Sequence, residues 1–71
     1  MEFVVCINNQ DYPASLEVRK IYQILPDNRA KVRQMVRVID ESGEDYLYPS
    51  RYFLPIELSE TLKQALVSSN S

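Results

Sequence analysis

Histidine and tryptophan are absent from these 71 residues, and cysteine and glycine occur once each. Each absence removes a class of chemistry. Without histidine, proton transfer at neutral pH would fall to a shifted carboxylate, lysine, tyrosine or thiol. One thiol, Cys6, can neither close a disulfide nor build a zinc site. Nor does it have a candidate base beside it to make it a nucleophile. One glycine cannot form a glycine-rich phosphate loop. No stretch approaches the roughly 18 continuous apolar residues of a membrane span. The N-terminus lacks the basic region and long apolar core of a signal peptide. A lone cysteine inside an apolar run is the usage of a reducing compartment, so a cytoplasmic location is expected. The sequence predicts no catalytic residue, no metal, no cofactor and no membrane partner.

What is present is an apolar content of 45% and four prolines. That is enough for one domain near the lower size limit for folding without staples, expected over residues 1–67 with a frayed tail over 68–71. The net charge of −2 is small, but it is unevenly spread. Residues 28–39 carry Arg29, Lys31, Arg33 and Arg37 and no acid, a local +4. Residues 40–45 carry Asp40, Glu41, Glu44 and Asp45 and no base, a local −4. The ordinary use of such short runs is a solvated face.

Phe3 to Ile7 is an unbroken apolar run, which predicts a strand covered on both faces. Asn8, Asn9, Gln10 and Asp11 end it, and Tyr12-Pro13 keeps the chain extended. Leu16 to Leu25 alternates, with Leu16, Val18, Tyr22 and Ile24 on one face and Lys20 interrupting it. One long strand or two short ones would satisfy that pattern. Pro26 stops it, and Asp27 or Asn28 can cap one helical turn through Arg33, with Val32 and Ala30 touching the core.

Met35 to Ile56 organises the rest. Gly43 sits where a hairpin loop wants a left-handed residue closing a bulge. That register pairs Ile39 with Asp45, Val38 with Tyr46 and Val36 with Tyr48. Val36, Val38, Tyr46 and Tyr48 become the core face, while Arg37, Ile39 and Leu47 face the other way. Pro49 removes a ladder donor, so the chain corners through Ser50, Arg51 and Tyr52. Phe53 to Ile56 resumes as a strand that Pro55 confines to an edge. Ser59 offers an N-cap, and Leu58, Leu62, Ala65 and Leu66 form an apolar stripe on a short helix over about 59–67. The sum is mainly β: a small five-stranded barrel with a short C-terminal helix.

Tyr48-Pro49-Ser50-Arg51-Tyr52-Phe53 resembles the SH3 pattern in which apolar–Pro–x–x–Tyr–apolar joins the last two strands through one turn of 3₁₀ helix. Leu16 to Lys20, followed by Tyr22 to Leu25, is similar to the diverging turn and second strand of that fold. The resemblance covers about residues 16–56 and implies an SH3-like barrel. It also implies a shelf on which Pro49 and Tyr52 could lie with Tyr12. Peptide-binding SH3 domains place a tryptophan at the start of the third strand, and this chain has none. Proline-rich ligands are therefore not expected, and Pro49 and Tyr52 are expected to build the corner itself. The whole chain also looks like a set of short bacterial proteins, a likeness that adds no activity.

Two functional classes follow. The first is a protein-interaction or assembly module using Tyr12, Pro49, Arg51 and Tyr52 with the basic surface Arg29, Lys31, Arg33 and Arg37. The second is a nucleic-acid-binding barrel using the same basic residues with tyrosines as stacking platforms. Net acidity and the adjoining acidic turn oppose phosphate approach, which favours a protein partner.

Overall fold

The computed structural model describes residues 2–40 and 42–68. β1 (Glu2–Cys6) lies second from one edge of a single antiparallel sheet, between β5 (Phe53–Ile56) and β2 (Ile21–Leu25). β3 (Met35–Ile39) and β4 (Asp45–Pro49) complete the order β4-β3-β2-β1-β5. The expected hairpin register is the observed one, with Ile39 opposite Asp45, Val38 opposite Tyr46 and Val36 opposite Tyr48. Its turn forms as the single glycine predicts. Gly43 takes φ +89°, its N–H reaches the Asp40 carbonyl, and the Asp40 N–H reaches the Glu44 carbonyl.

β4 and β5 occupy opposite edges, yet only the 3₁₀ turn Ser50–Tyr52 separates them along the chain. Four inter-strand spacings in a flat sheet would put those edges about 19 Å apart. Four residue steps span at most about 14 Å even when fully extended, and a 3₁₀ turn is shorter still. The sheet must therefore coil strongly at this corner. The rings of Tyr48 on β4 and Phe53 on β5 meet at 6.2 Å across the gap, although no ladder joins the two strands.

The concave face is the core. Val4, Cys6, Tyr22, Val38, Tyr48 and Phe53 project into it from all five strands, joined by Leu16 and Tyr52, with Ile24 and Val36 packed against them. Tyr46 shares this face by register but stands 46% exposed, beyond the end of the cluster. On the opposite face Phe3 is buried, while Ile21 and Leu54 remain exposed.

Besides Tyr46, and Ile7, which lies past the end of β1 and is 46% exposed rather than covered, two expectations need correction. Leu16 to Lys20 is not strand: β2 begins at Ile21. Arg19 adopts a left-handed φ of 76°, which breaks the alternation and leaves Val18 outside. Leu16 is buried to 1% exposure all the same, held within a loop whose carbonyl at Leu16 accepts from Asn9 Nδ2 at 2.8 Å. Val32 is the second. α1 (Asn28–Val32) forms, and the Asp27 carboxylate accepts from the Ala30 N–H at 3.0 Å as its N-cap. Ala30 is buried, but Val32 is 84% exposed.

α2 (Glu60–Ser68) begins where Ser59 Oγ accepts from the Leu62 N–H at 3.1 Å. Its apolar stripe is only partly covered: Leu62 and Val67 are exposed, while Leu66 borders a groove shared with Phe3 and Ile39. Residues 69–71 of the expected frayed tail lie outside the described residues. Among the described residues no helix is long and apolar enough to cross a membrane.

Candidate functional site

The Pro49–Tyr52 corner is pinned on two sides. The Tyr52 carbonyl accepts from the Ile7 N–H at 2.8 Å, tying the turn to the end of β1. The Ser50 N–H and Oγ both donate to the Gln34 carbonyl at 2.9 Å, tying it to the end of α1. Gln34 ends that helix in a left-handed conformation, φ 59°, a position where glycine or asparagine is usual. The corner and the basic helix are thus neighbours, although Pro49 and Arg29 are 20 residues apart.

Three tyrosines stack at the corner. Tyr12 meets Tyr48 edge-on with ring centroids 5.1 Å apart, and Tyr52 at 6.1 Å. Tyr48 and Tyr52 are buried, Tyr52 to 2% exposure, so they support Tyr12, which keeps 36% of its surface in water. The Tyr52 hydroxyl donates to the Asp11 carboxylate, and that bond, with burial second, raises its pKa. Arg51 lies over the Tyr52 ring at 4.9 Å and within 3.9 Å of Asp11, with its side chain largely in solvent. Of the sequence-predicted shelf, then, Tyr12 and Arg51 offer surface, Pro49 is half-buried, and Tyr52 is committed to the corner. Asp11 and Tyr48 belong to the cluster too. Nothing local in the sequence marks Asp11, which meets Tyr52 across 41 positions.

The basic surface divides. Arg37 is taken up by a double ion pair, Nε to Asp27 at 2.8 Å and Nη1 to Asp45 at 2.7 Å. Those bonds, Asp45 first, raise the Arg37 pKa. Asp27 is held below the usual carboxylate range, first by the Ala30 N–H and then by Arg37. Arg29, Lys31 and Arg33 stay exposed, and among the described residues none of the three has an ion-pair partner.

The acidic turn is used differently. Asp40 accepts from Ser42 Oγ at 2.6 Å, from the Ser42 N–H at 2.9 Å and from the Glu44 N–H at 3.1 Å, and the serine hydroxyl leads in lowering its pKa. Glu44 accepts from the Tyr46 hydroxyl, which pushes the tyrosine up to about 12. Between this hairpin and the Ala14–Leu16 segment lies a cleft of ≈ 370 Å³, walled by Leu16, Tyr22, Val38 and Tyr48 with Tyr46 and Asp40 at its side. Among the described residues no group of three or more acidic or cysteine side chains is arranged to hold a metal ion. Comparison with family models, with curated proteins and with solved structures gives no match.

Proposed function

We propose that the chain is a small SH3-like barrel acting as a non-catalytic protein-interaction or assembly module. Its contact surface is Tyr12 and Arg51 on the corner that half-buried Pro49 begins, with α1 alongside. The barrel reading is supported by the strand order β4-β3-β2-β1-β5 and by the 3₁₀ turn between β4 and β5. The observation that carries the functional reading is Tyr12, a partly exposed ring braced edge-on by two buried tyrosines. A rigid aromatic loses little entropy on binding, and such residues dominate interface energetics. Arg29, Lys31 and Arg33, without an ion-pair partner among the described residues, suit a partner patch that is acidic, and they would act on approach and orientation more than on affinity.

The same three cations favour nucleic acid as a second reading. Against it, Arg37 is neutralised by two carboxylates, and the tyrosines other than Tyr12 and Tyr46 are buried. A chemical-shift titration separates the readings. An acidic, aromatic-containing peptide should move Tyr12 and Arg51 signals, and Tyr12→Ala should weaken it by about tenfold or more. If a single-stranded oligonucleotide instead binds through Arg29, Lys31 and Arg33, with a steep salt slope that falls by about one for each arginine removed, the protein reading is wrong.

A further inference from the structure

Val32 is the most exposed large apolar side chain among the described residues, at 84%. Its surroundings are cationic. Arg29 precedes it by three positions on α1, so the two share a helix face, and Lys31 and Arg33 flank it in sequence. The cleft beside the hairpin carries the opposite charge: buried Leu16, Val38 and Tyr48 form its floor, Ala14, Ser15, Tyr46 and Asp40 line it nearer the surface, and Glu44 lies just before β4. Knob and cleft lie at opposite ends of β3, whose five residues span about 17 Å. With Arg37 already paired internally, one end keeps Arg29, Lys31 and Arg33, and the other keeps Asp40 and Glu44, with Arg19 and the Glu17-paired Lys20 on the neighbouring loop.

We propose that the chain associates head to tail with a second copy of itself, Val32 of one copy entering the cleft between Ala14–Leu16 and the β3–β4 hairpin of the next. Charge selects this pairing. Two basic helices or two acidic hairpins repel, while a helix and a hairpin attract, and the attraction is screened by salt. The two surfaces differ, so the contact is heterologous: it leaves a free knob and a free cleft at the ends and extends into short chains or closes into a ring. A valine and its flanking cations make a small interface, which belongs among weak and transient contacts. The contact shares the basic helix with the function proposed above but does not use the Tyr12–Arg51 shelf, so each can fail without the other.

Sedimentation velocity at low salt, from about 10 μM to about 1 mM, spans the dissociation constants of weak contacts. The expected result is a sedimentation coefficient that rises with concentration and falls back when salt is added. Val32→Asp and Ala14→Arg are both exposed positions, and unchanged amide spectra would establish that the fold survives. Each variant alone should be monomeric. Mixed one to one, they should form dimers that grow no further, because Ala14→Arg still has the knob and Val32→Asp still has the cleft. Arg51→Ala, which touches only the shelf, should associate like the unaltered chain. A chain that stays monomeric throughout overturns the proposal, as does a mixture that fails to dimerise or a loss of association in Arg51→Ala.

Discussion

At the scale of single residues, backbone conformation makes the clearest prediction. Gly43 and Gln34 both sit at positive φ, one with the residue that suits it and one without. A Cβ at Gly43 would meet nothing within 4 Å, so a substitution there is penalised by the backbone alone. Gly43→Val should lower unfolding free energy by about 1–2 kcal/mol. Gln34→Gly should do the reverse, because relief of the left-handed strain outweighs the added chain entropy, for a gain of roughly 0.5–1 kcal/mol. Urea midpoints of the two variants against the unaltered chain check both signs. The carboxylates make a second prediction. Asp27 and Asp40 are held below the usual range in the folded state, so their stabilisation is complete above about pH 4, the unfolded value, and is lost as pH falls through the depressed one. Melting temperature measured from pH 5 downward should therefore fall less steeply in Asp27→Asn. Arg37→Ala should flatten the profile less, since the Ala30 N–H is the larger cause at Asp27.

Elements show what the sequence made legible. The hairpin register, a helix cap at Asp27 or Asn28, the Pro49 corner and the edge strand that follows were all readable, because each is written within a few neighbouring residues. Leu16 to Lys20 misled because alternation is a statement about side chains, and Arg19 changes the backbone beneath it. Arg37 looked like part of a basic surface because its partners, Asp27 and Asp45, lie ten and eight positions away. Tyr12 and Arg51 keep the exposure that the proposed shelf requires, whereas the burial of Tyr52 and its bond to Asp11 depend on a contact that only the folded chain makes. The loop before β2 gives the element-scale test. Leu16 anchors 14 irregular residues, from Ile7 to Lys20, to the core, so Leu16→Ala should cost about 2–5 kcal/mol, as much as a truncation within a strand. Tyr22→Phe, which removes the hydroxyl accepting from the Glu17 N–H at 2.9 Å, should cost only about 1 kcal/mol. Chemical denaturation of the two variants would separate the contributions.

Over the whole molecule, two faces of one sheet are unequally finished. The concave face holds the core, and the opposite face, which mixes Phe3, Ile21 and Leu54 with Gln23 and the Arg37–Asp45 pair, is only partly sheltered, with α2 placing Leu66 at a groove beside Phe3. Removing residues 59–71 should therefore shift the amide signals of Phe3 and Ile39 while leaving those of Tyr22, Tyr48 and Phe53 in place. A collapse of the whole spectrum would instead mean that the helix is required for the coil of the sheet.

Cys6 adds a consequence of another kind. Its thiol is fully buried in an interior strand, donates to the Asn8 carbonyl at 3.3 Å, and is the only one in the chain. A thiol-specific reagent can reach it only through molecules whose sheet has come apart. The chain thus carries its own stopwatch: when reclosing is faster than modification, the labelling rate reads how rare the opened molecules are, and when modification is faster, it reads how often they open.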